Sequence, residues 1–380
     1  MQIALATFLQ TIAQTPKVPA DGEAAKLALV TALITAALTL AGIVLKDLLF
    51  KVLEERRAEK RAELVVYEQY SRPLAASATS LLHRLREILV GHSRPVFLKS
   101  VGVSVAASER QGPEFLTYKK LSTFYRLATL LGWIRACRRE FSYLRVAERK
   151  DNEPIDRAIN LFENALADGS WVEHERVKRL CDIWHICSPD VLENSPDVLA
   201  ALGVKIDNAI YAAENSDLLD DPSKEALCTT MALILTTGFN TNPVGKASLQ
   251  RTWPEAFRVI AMREAWLYRD WQSAIGDLML RSLEGEDRRF EVIGYGEFEK
   301  MCRSGDPEEE LWVTRLAQVF EDLDFSIADR FDARPRQLRT VARATAKLVL
   351  ALHQVQGAKS VINTHTAGIA DSILNEISEE

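Results

Sequence analysis

LALVTALITAALTLAGIVL, residues 27–45, is a run of nineteen residues without a charged side chain, and ten of them are Leu, Ile or Val. An α-helix needs about 20 apolar residues to cross the hydrocarbon core of a bilayer. Ten large aliphatic side chains contribute roughly −3 to −6 kcal/mol to insertion. A cleaved signal peptide would have a shorter apolar region and a cleavage site, whereas this run continues into Lys46-Asp47-Leu48-Leu49-Phe50. The run therefore predicts one transmembrane helix.

Basic residues are concentrated on the C-terminal side of this run. Two precede it, Lys17 and Lys26, and six follow it: Lys46, Lys51, Arg56, Arg57, Lys60 and Arg61. Loops on the cytoplasmic side of a membrane carry an excess of Lys and Arg. The flanks therefore predict a single-pass protein of the cell inner membrane. Residues 1–26 are expected outside the cell membrane, and everything after the span is expected in the cytoplasm.

Small residues recur along one face of the predicted span at spacings of 4, 3, 4 and 3: Ala28, Ala32, Thr35, Thr39 and Gly42. Small side chains at such a spacing allow the backbones of two helices to approach closely in lipid. One interpretation is homo-oligomerisation, or docking onto a partner, through the transmembrane helix. The other is that Ala and Thr only fill the span.

Helical periodicity dominates the rest of the chain. A juxtamembrane helix is predicted over 46–72, and Pro73 is expected to end or kink it. A helical cytoplasmic domain is predicted over 73–250, followed by an α+β region over 251–380. Two runs, 274–280 and 290–298, flank an acidic turn that contains Gly285, which predicts a small β-hairpin within 274–298. The predicted fold class is therefore mainly α, with an N-terminal transmembrane helix and one hairpin.

Composition limits the chemistry. The net charge of −6 argues against nucleic-acid binding by the whole chain, which usually needs a basic domain or stripe. The number of cysteines is odd and no CxxC occurs, so reduced thiols packed as small hydrophobic side chains are expected rather than a disulfide framework. They are Cys137, Cys181, Cys187, Cys228 and Cys302.

Three constellations resemble sites but lack the required spacing. His174 and Cys181 are seven residues apart, about 10 Å along a helix, so one metal ion cannot bind both together with His185. Gly245-Lys246-Ala247-Ser248 has Ala where a phosphate-binding loop needs Ser or Thr. Asp322, Asp324 and Asp329 lack the spacing of a calcium loop. No metal site and no cofactor are predicted.

Two basic helices are the candidate binding surfaces. One is interleaved with aromatic residues and includes Arg135, Arg138 and Arg139; the other carries basic residues at spacings of 3, 4 and 4 on one face: Arg336, Arg339, Arg343 and Lys347. Three interpretations remain open. These residues contact anionic lipids, they form a pocket for an anionic ligand such as a nucleotide second messenger or RNA, or they lie on solvated faces paired with the chain's acidic residues.

The stretch Tyr268-Arg269-Asp270-Trp271-Gln272-Ser273-Ala274-Ile275-Gly276, followed by Ile293-Gly294-Tyr295, resembles a pattern in uncharacterised bacterial proteins with a single N-terminal span. The resemblance covers about thirty residues, implies a bacterial inner-membrane setting and carries no activity with it.

Two functions are expected from the sequence. The first is a membrane-anchored cytoplasmic interaction or sensor module, for example an effector or regulator in a bacterial stress or phage-defence system. Its partner is a protein or an anionic ligand. The alternative is a membrane-tethered enzyme of the hydrolase class, whose catalytic residues come from distant parts of the chain.

Overall fold

The computed structural model describes residues 22–90, 113–143, 153–186, 196–212, 219–283, 288–323, 325, 331–354 and 361–377, and within some helices it describes the side chains of only part of the residues. The chain divides into two compact units, Met1–Leu64 and Val65–Glu380.

The first helix, α1, runs from Gly22 to Leu89 and contains Pro73. Of the two predicted outcomes at Pro73, an end or a kink, the end does not occur, because α1 continues through the proline. A proline inside a helix removes one backbone hydrogen bond and costs about 3 kcal/mol or more. The helix is stabilised here by a face that is buried on both sides of the proline, at Tyr70, Leu74, Ala78 and Leu81. Burying one large apolar side chain contributes about 1.5–3 kcal/mol, so several of them offset the cost.

The predicted membrane span at 27–45 is not supported by the structure. Among the residues that the structure describes, none of the helices combines the length and the apolar character that a membrane crossing requires. Part of the predicted span lies outside the described side chains, including Ala28 and the residues at 40, 41 and 43–45.

The described part of the second unit is mainly helical. Beyond α1, its helices are α2 (Pro113–Tyr143), α3 (Glu153–Ala167), α4 (Ser170–Trp184), α5 (Pro196–Ala212), α6 (Asp221–Gly238), α7 (Lys246–Ile260), α8 (Arg269–Leu278), α9 (Tyr295–Cys302), α10 (Pro307–Gln318), α11 (Arg334–His353) and α12 (Thr364–Glu376). The prediction of a mainly α fold is confirmed.

The predicted hairpin is present but shorter than expected. Strands β1 (Leu280–Ser282) and β2 (Phe290–Val292) pair antiparallel, with Leu280 opposite Val292. The residues at 274–278 belong to α8, where Ile275 and Gly276 are buried, and residues from Tyr295 onward belong to α9. Tertiary packing of Ile275 and Gly276 thus favours helix over the predicted strand. The predicted turn at 284–287 lies outside the described residues.

The described part of the second unit contains two large hydrophobic cores and one small cluster of Val172, Met262 and Ala333. The first large core is formed by the C-terminal part of α1 with α2, α3, α8, α9, α10, α11, α12 and the hairpin. The second lies between Val177 and Ile260 and is formed by α4, α5, α6 and α7. The second core is therefore contiguous in sequence, whereas the first is assembled from segments before and after it. The predicted boundaries at 73 and 250 stay predictions.

Buried amides fix the chain where it returns to the first core. The Gln272 side-chain amide donates to the carbonyls of Glu163 and Leu267, at 2.8 and 2.6 Å. The Gln337 amide donates to the carbonyls of Leu166 and Ala265, at 3.2 and 2.9 Å. Because unpaired buried carbonyls cost about 1–3 kcal/mol each, these amides allow a non-helical segment to lie between α3 and α11.

Helices α2 and α8 cross at two glycines. A Cβ atom on Gly276 would lie 2.8 Å from Cβ of Arg135 and 3.0 Å from the carbonyl oxygen of Leu131. A Cβ atom on Gly132 would lie 3.0 Å from Cβ of Met279 and 3.1 Å from a methyl group of Val292. The two helices therefore approach so closely that neither position has room for a side chain.

We predict that Gly276→Ala destabilises the protein. The new methyl group meets backbone at Leu131 rather than a movable side-chain end, and overpacking of this kind costs about 1–3 kcal/mol. Gly203→Ala is the matched control, because a Cβ atom at Gly203 in α5 meets nothing within 4 Å. It should stabilise by about 0.5–1 kcal/mol through helix propensity. Urea unfolding followed by circular dichroism measures both changes, and equal effects at the two glycines would contradict the close crossing.

Candidate functional site

Two of the predicted arginines, Arg135 and Arg139, lie near the C-terminal end of α2 and form ion pairs with Asp277 on α8. Arg135 Nε and Nη2 donate to the two carboxylate oxygens of Asp277, at 2.6 and 3.0 Å, and Arg139 Nη2 lies 2.9 Å from the same carboxylate. Hydrogen bonding to Asp277 raises the pKa of Arg135. The three side chains are 31–39% exposed, so solvent screening limits the contribution of this network to stability. The network nevertheless fixes the directions of both guanidinium groups.

Arg138 engages a second carboxylate, that of Glu163 on α3. Its Nη2 lies 2.5 Å from Glu163 Oε2, and Arg269 Nη1 lies 3.2 Å from the same oxygen. Glu163 is 4% exposed, whereas the two arginines are 43% and 48% exposed. The cations therefore reach from the surface to a buried carboxylate. The prediction that Arg135, Arg138 and Arg139 bind an anionic ligand or lipid stays a prediction, and in the structure their guanidinium groups face carboxylates.

The four basic residues on α11 have different surroundings. The guanidinium of Arg336 lies 4.3 Å from the centre of the Trp171 ring. Arg343 donates to the carbonyl of Leu374 at 3.0 Å and to that of Ile377, and so satisfies acceptors at the C-terminal end of α12. Arg339 is half-buried and Lys347 is exposed. The opposite face of α11 is buried, as the helical spacing predicts.

A polar cluster that the sequence did not predict fastens the hairpin to α1 and α2. The hydroxyl of Tyr70 lies 3.3 Å from Glu140 Oε2 and accepts the backbone N–H of Phe290 at 3.3 Å. The Tyr70 ring packs edge-on against Trp133, with the ring centres 6.3 Å apart. Arg289 Nε lies 3.9 Å from Glu140. The sequence did contain one signal for this cluster. Glu140 is an acidic residue among basic ones, and its carboxylate needs a partner when it is buried.

Burial and the nearby Glu140 raise the pKa of Tyr70 to about 12. A phenol with such a pKa donates hydrogen bonds but does not ionise near neutral pH. Because Tyr70 is 1% exposed, the cluster serves to position β2 rather than to contact a substrate.

Three of the described thiols are poorly suited to nucleophilic catalysis. Burial raises the pKa of Cys137 and Cys228 to about 12 and that of Cys302 to about 11, and the thiolate is the reactive form of cysteine. Within the described ranges, no group of three or more His, Cys, Asp or Glu is arranged to hold a metal ion. His174 instead contacts the Ser170 carbonyl through Nδ1, at 2.9 Å. Cys187, Asp324 and Asp329 lie outside the described residues.

The first unit carries a candidate interaction surface on α1. Large apolar side chains between Leu29 and Leu53 are 45–69% exposed: Leu29, Val30, Leu33, Ile34, Leu38, Phe50, Val52 and Leu53. The hydroxyls of Thr35 and Thr39 donate to the carbonyls four residues earlier, at 2.8 and 2.7 Å. Isolated exposed apolar residues are ordinary, but a large continuous apolar surface marks a site of interaction.

The predicted packing residues lie on this same helix. Ala32, Thr35, Thr39 and Gly42 are exposed, and a Cβ atom at Gly42 would meet nothing within 4 Å. The side chain of Ala28 lies outside the described residues. The stripe is therefore accessible to a second helix at the four described positions.

In comparisons with known proteins, no family model, no curated protein and no solved structure matches the chain.

We predict that Tyr70→Phe destabilises the protein by about 1–3 kcal/mol, because Glu140 and the Phe290 N–H lose a buried partner. The loss should shrink at high pH. Tyr70 has a raised pKa in the fold, so the stability that it contributes is complete below about pH 10 and is lost as the pH rises through about 12. Urea unfolding between pH 8 and about pH 12 measures both effects.

Tyr118→Phe is the control for this experiment, since Tyr118 is 49% exposed. Its stability should stay within about 0.5 kcal/mol of the wild type. A difference between Tyr70→Phe and wild type that stays constant with pH would contradict the burial of an un-ionised phenol.

Proposed function

We propose that the chain is a membrane-anchored helical interaction module. In this proposal the apolar segment of α1 holds the protein at a membrane, and the second unit binds its partner in the cytoplasm. The observation that carries the proposal is the row of exposed large apolar side chains between Leu29 and Leu53.

The energetics of that segment support a non-aqueous environment. Transferring one large apolar side chain out of water contributes about 1.5–3 kcal/mol, and five such side chains between Leu29 and Leu38 are more than half exposed. Leaving them in water is therefore costly, whereas a bilayer or a second helix would cover them. The uncharged run at 27–45 has about the length that a bilayer requires.

The threonines of the segment also suit a lipid environment. Inside a bilayer there is no water to satisfy polar groups, so each must find a partner within the helix or on a neighbouring helix. Thr35 and Thr39 donate to the carbonyls of Thr31 and Thr35. Their hydroxyls are thus satisfied within α1.

The proposed orientation rests on charge. Lys46 and Lys51 are exposed on α1 just after the apolar run, and four further basic residues follow in sequence at 56, 57, 60 and 61. Positive charge next to a span favours the cytoplasmic side. The second unit would then lie in the cytoplasm, with residues 1–26 on the opposite side.

The membrane anchor is tested with the double variant Leu33→Arg/Leu38→Arg. Each arginine near the centre of a span costs about 2.5–3.5 kcal/mol of insertion free energy. The cost of two arginines is therefore comparable to the roughly −3 to −6 kcal/mol that the ten aliphatic residues contribute to insertion. We expect the wild type to stay in the membrane pellet after alkaline carbonate extraction and the variant to be released. Leu233→Arg is the matched control, because Leu233 on α6 is 62% exposed, and it should remain in the pellet.

Recovery of the wild-type chain in the soluble fraction without detergent would contradict the proposed membrane anchor. The orientation is measured separately with reporters at the C-terminus. A fluorescent protein should be bright there and alkaline phosphatase inactive, and strong phosphatase activity would reverse the proposed orientation.

The small stripe makes a further prediction for the same helix. Gly42→Ile and Thr35→Leu should weaken self-association, because the larger side chains prevent the backbone of another helix from approaching closely. Insertion should be unaffected, because both substitutions add apolar surface. Gly42 has open space around it within the chain, so the substitution causes no clash in one copy. Crosslinking at native expression measures the result, with Leu29→Ile as a conservative control. An unchanged oligomer in both variants, or no oligomer in the wild type, would show that these residues only fill the helix.

A further inference from the structure

The chain between α7 and α8 is hydrogen-bonded to the rest of the second unit along one side. Arg263 forms an isolated parallel bridge with the chain just before α11. The Ala265 carbonyl accepts the side-chain amide of Gln337 at 2.9 Å. The Leu267 carbonyl accepts that of Gln272 at 2.6 Å. Alternate residues therefore direct their main-chain groups to the same side, as in an extended strand.

The opposite side of this segment carries the main-chain groups of Glu264, Trp266 and Tyr268. Within the part of the chain that the structure describes, the N–H groups of all three and the carbonyls of Glu264 and Trp266 have no hydrogen-bond partner. We call this row of groups the open edge. Glu264 and Tyr268 are exposed. A row of unpaired main-chain groups on an accessible extended segment is a template on which another chain can pair.

The side chains of the open edge are held in place. Trp266 Nε1 donates to the Glu264 carboxylate at 2.7 Å, and Arg176 Nη2 donates to the same carboxylate at 3.0 Å. A Cβ atom on Gly169 would lie 2.6 Å from the Trp266 ring, so the indole packs directly on this glycine. The acidic side chain of the edge is thus already paired. An ordered edge also reduces the entropy that a ligand loses on binding.

Water can satisfy the main-chain groups of any exposed segment, so the open edge alone names no ligand. Beside it lies a row of three aromatic rings and one cation, which we call the aromatic–arginine stack: Tyr268, Trp271, Arg315 and Trp312. The ring centres of Tyr268 and Trp271 are 4.9 Å apart. The Arg315 guanidinium lies over the Trp271 ring at 3.7 Å and over the Trp312 ring at 4.7 Å. Tyr268 belongs to both features, so the stack continues directly from the edge.

The donors of the stack are available to a ligand. Among the described residues, the half-buried Arg315 forms no hydrogen bond and no ion pair, and the indole N–H groups of Trp271 and Trp312 have no acceptor. A guanidinium that lies over a ring keeps its N–H donors in its own plane, where a carboxylate can accept two parallel hydrogen bonds. Tyr, Trp and Arg are also the side chains that contribute most to binding at protein interfaces. The stack therefore suits an acidic side chain of a partner.

We propose that the open edge and the aromatic–arginine stack bind an extended peptide segment of a partner protein. The segment adds as a strand along the edge, and one of its acidic side chains binds Arg315. Donors and acceptors alternate along the edge, a pattern that a second main chain complements and a free anion does not. From Glu264 to Tyr268 the edge is about 13 Å long, at about 3.3 Å per residue, which accommodates about five peptide residues.

This inference names the partner of the proposed interaction module and rests on that part of the proposed function. It does not rest on the membrane anchor, since the edge and the stack lie wholly in the second unit.

The test uses the full chain, purified in a nonionic detergent, and the fluorescein-labelled peptide Glu-Thr-Val-Thr-Val-Thr-Glu. Thr and Val favour an extended chain, and a glutamate at each end places one near Arg315 in either strand direction. Fluorescence anisotropy measures the dissociation constant. We expect saturable binding, and replacing both glutamates of the peptide with glutamine should weaken it by at least about tenfold. Absence of saturable binding of the glutamate peptide would overturn the proposal.

Arg315→Gln tests the acidic contact. It should weaken binding of the glutamate peptide by at least about tenfold and leave binding of the glutamine peptide nearly unchanged. A variant that merely damaged the fold would bind both peptides more weakly. Arg251→Gln is the matched control, because Arg251 is exposed on α7, which packs in the other core. Equal losses in the two arginine variants would show general charge attraction and would overturn the proposal.

Tyr268→Pro and Tyr268→Ala test the main-chain pairing. Tyr268 has φ −60° and ψ 155°, a conformation that proline adopts without strain. Both variants remove the ring, but only proline removes the N–H donor from the open edge. We expect Tyr268→Pro to bind the glutamate peptide about fivefold more weakly than Tyr268→Ala, and to unfold at a temperature no lower. Equal binding by the two variants would exclude strand addition.

Inorganic phosphate, added at matched ionic strength with chloride as the reference, tests for a simple anion site. We expect it to displace the labelled peptide much less effectively than unlabelled peptide does, because it cannot pair with the edge. Equal displacement would overturn the proposal. The binding assay and the carbonate extraction fail independently: a chain that does not bind the peptide can still stay in the membrane pellet, and a chain released from the membrane can still bind the peptide.

Discussion

The close approach of α2 and α8 at Gly132 and Gly276 is the constraint on which the first core depends. With no room for a Cβ atom at either position, α8 lies directly on the backbone of α2. This contact sets Met279 and Val292 against Gly132 and so fixes where the hairpin begins. It also places Asp277 opposite Arg135 and Arg139. The tyrosine and arginine contacts of the hairpin then follow from where the two helices meet.

Local patterns in the sequence were sufficient for the helices and for the existence of the hairpin. The periodicity of α11 gave its buried face correctly, and the acidic turn with one glycine marked the two strands. Strand length and the continuity of α1 through Pro73 were not predictable, because both depend on tertiary burial. The span at 27–45 was inferred from an apolar run, and the described residues do not contain a helix that meets the requirement for crossing a membrane.

The surroundings of the basic residues could not be read from the sequence, because charge pairing here joins distant parts of the chain. Arg135 and its partner Asp277 are separated by 142 positions. A sequence shows where arginines are numerous, whereas only the fold shows which of them face carboxylates.

The arrangement of the two cores has a consequence for how the chain folds as it is synthesised. The second core lies within Val177–Ile260, so its contacts close short loops and form quickly. The first core joins α1–α3 to α8, α11 and α12, and it cannot close until the ribosome has released most of the chain. During that interval the part of α2 that packs against α8, and the part of α3 that packs against α11, lack those partners. Helices α4–α7, which lie in sequence between the two parts of the first core, therefore lengthen the period in which those faces are exposed. Chaperones commonly protect such exposed apolar faces from aggregation.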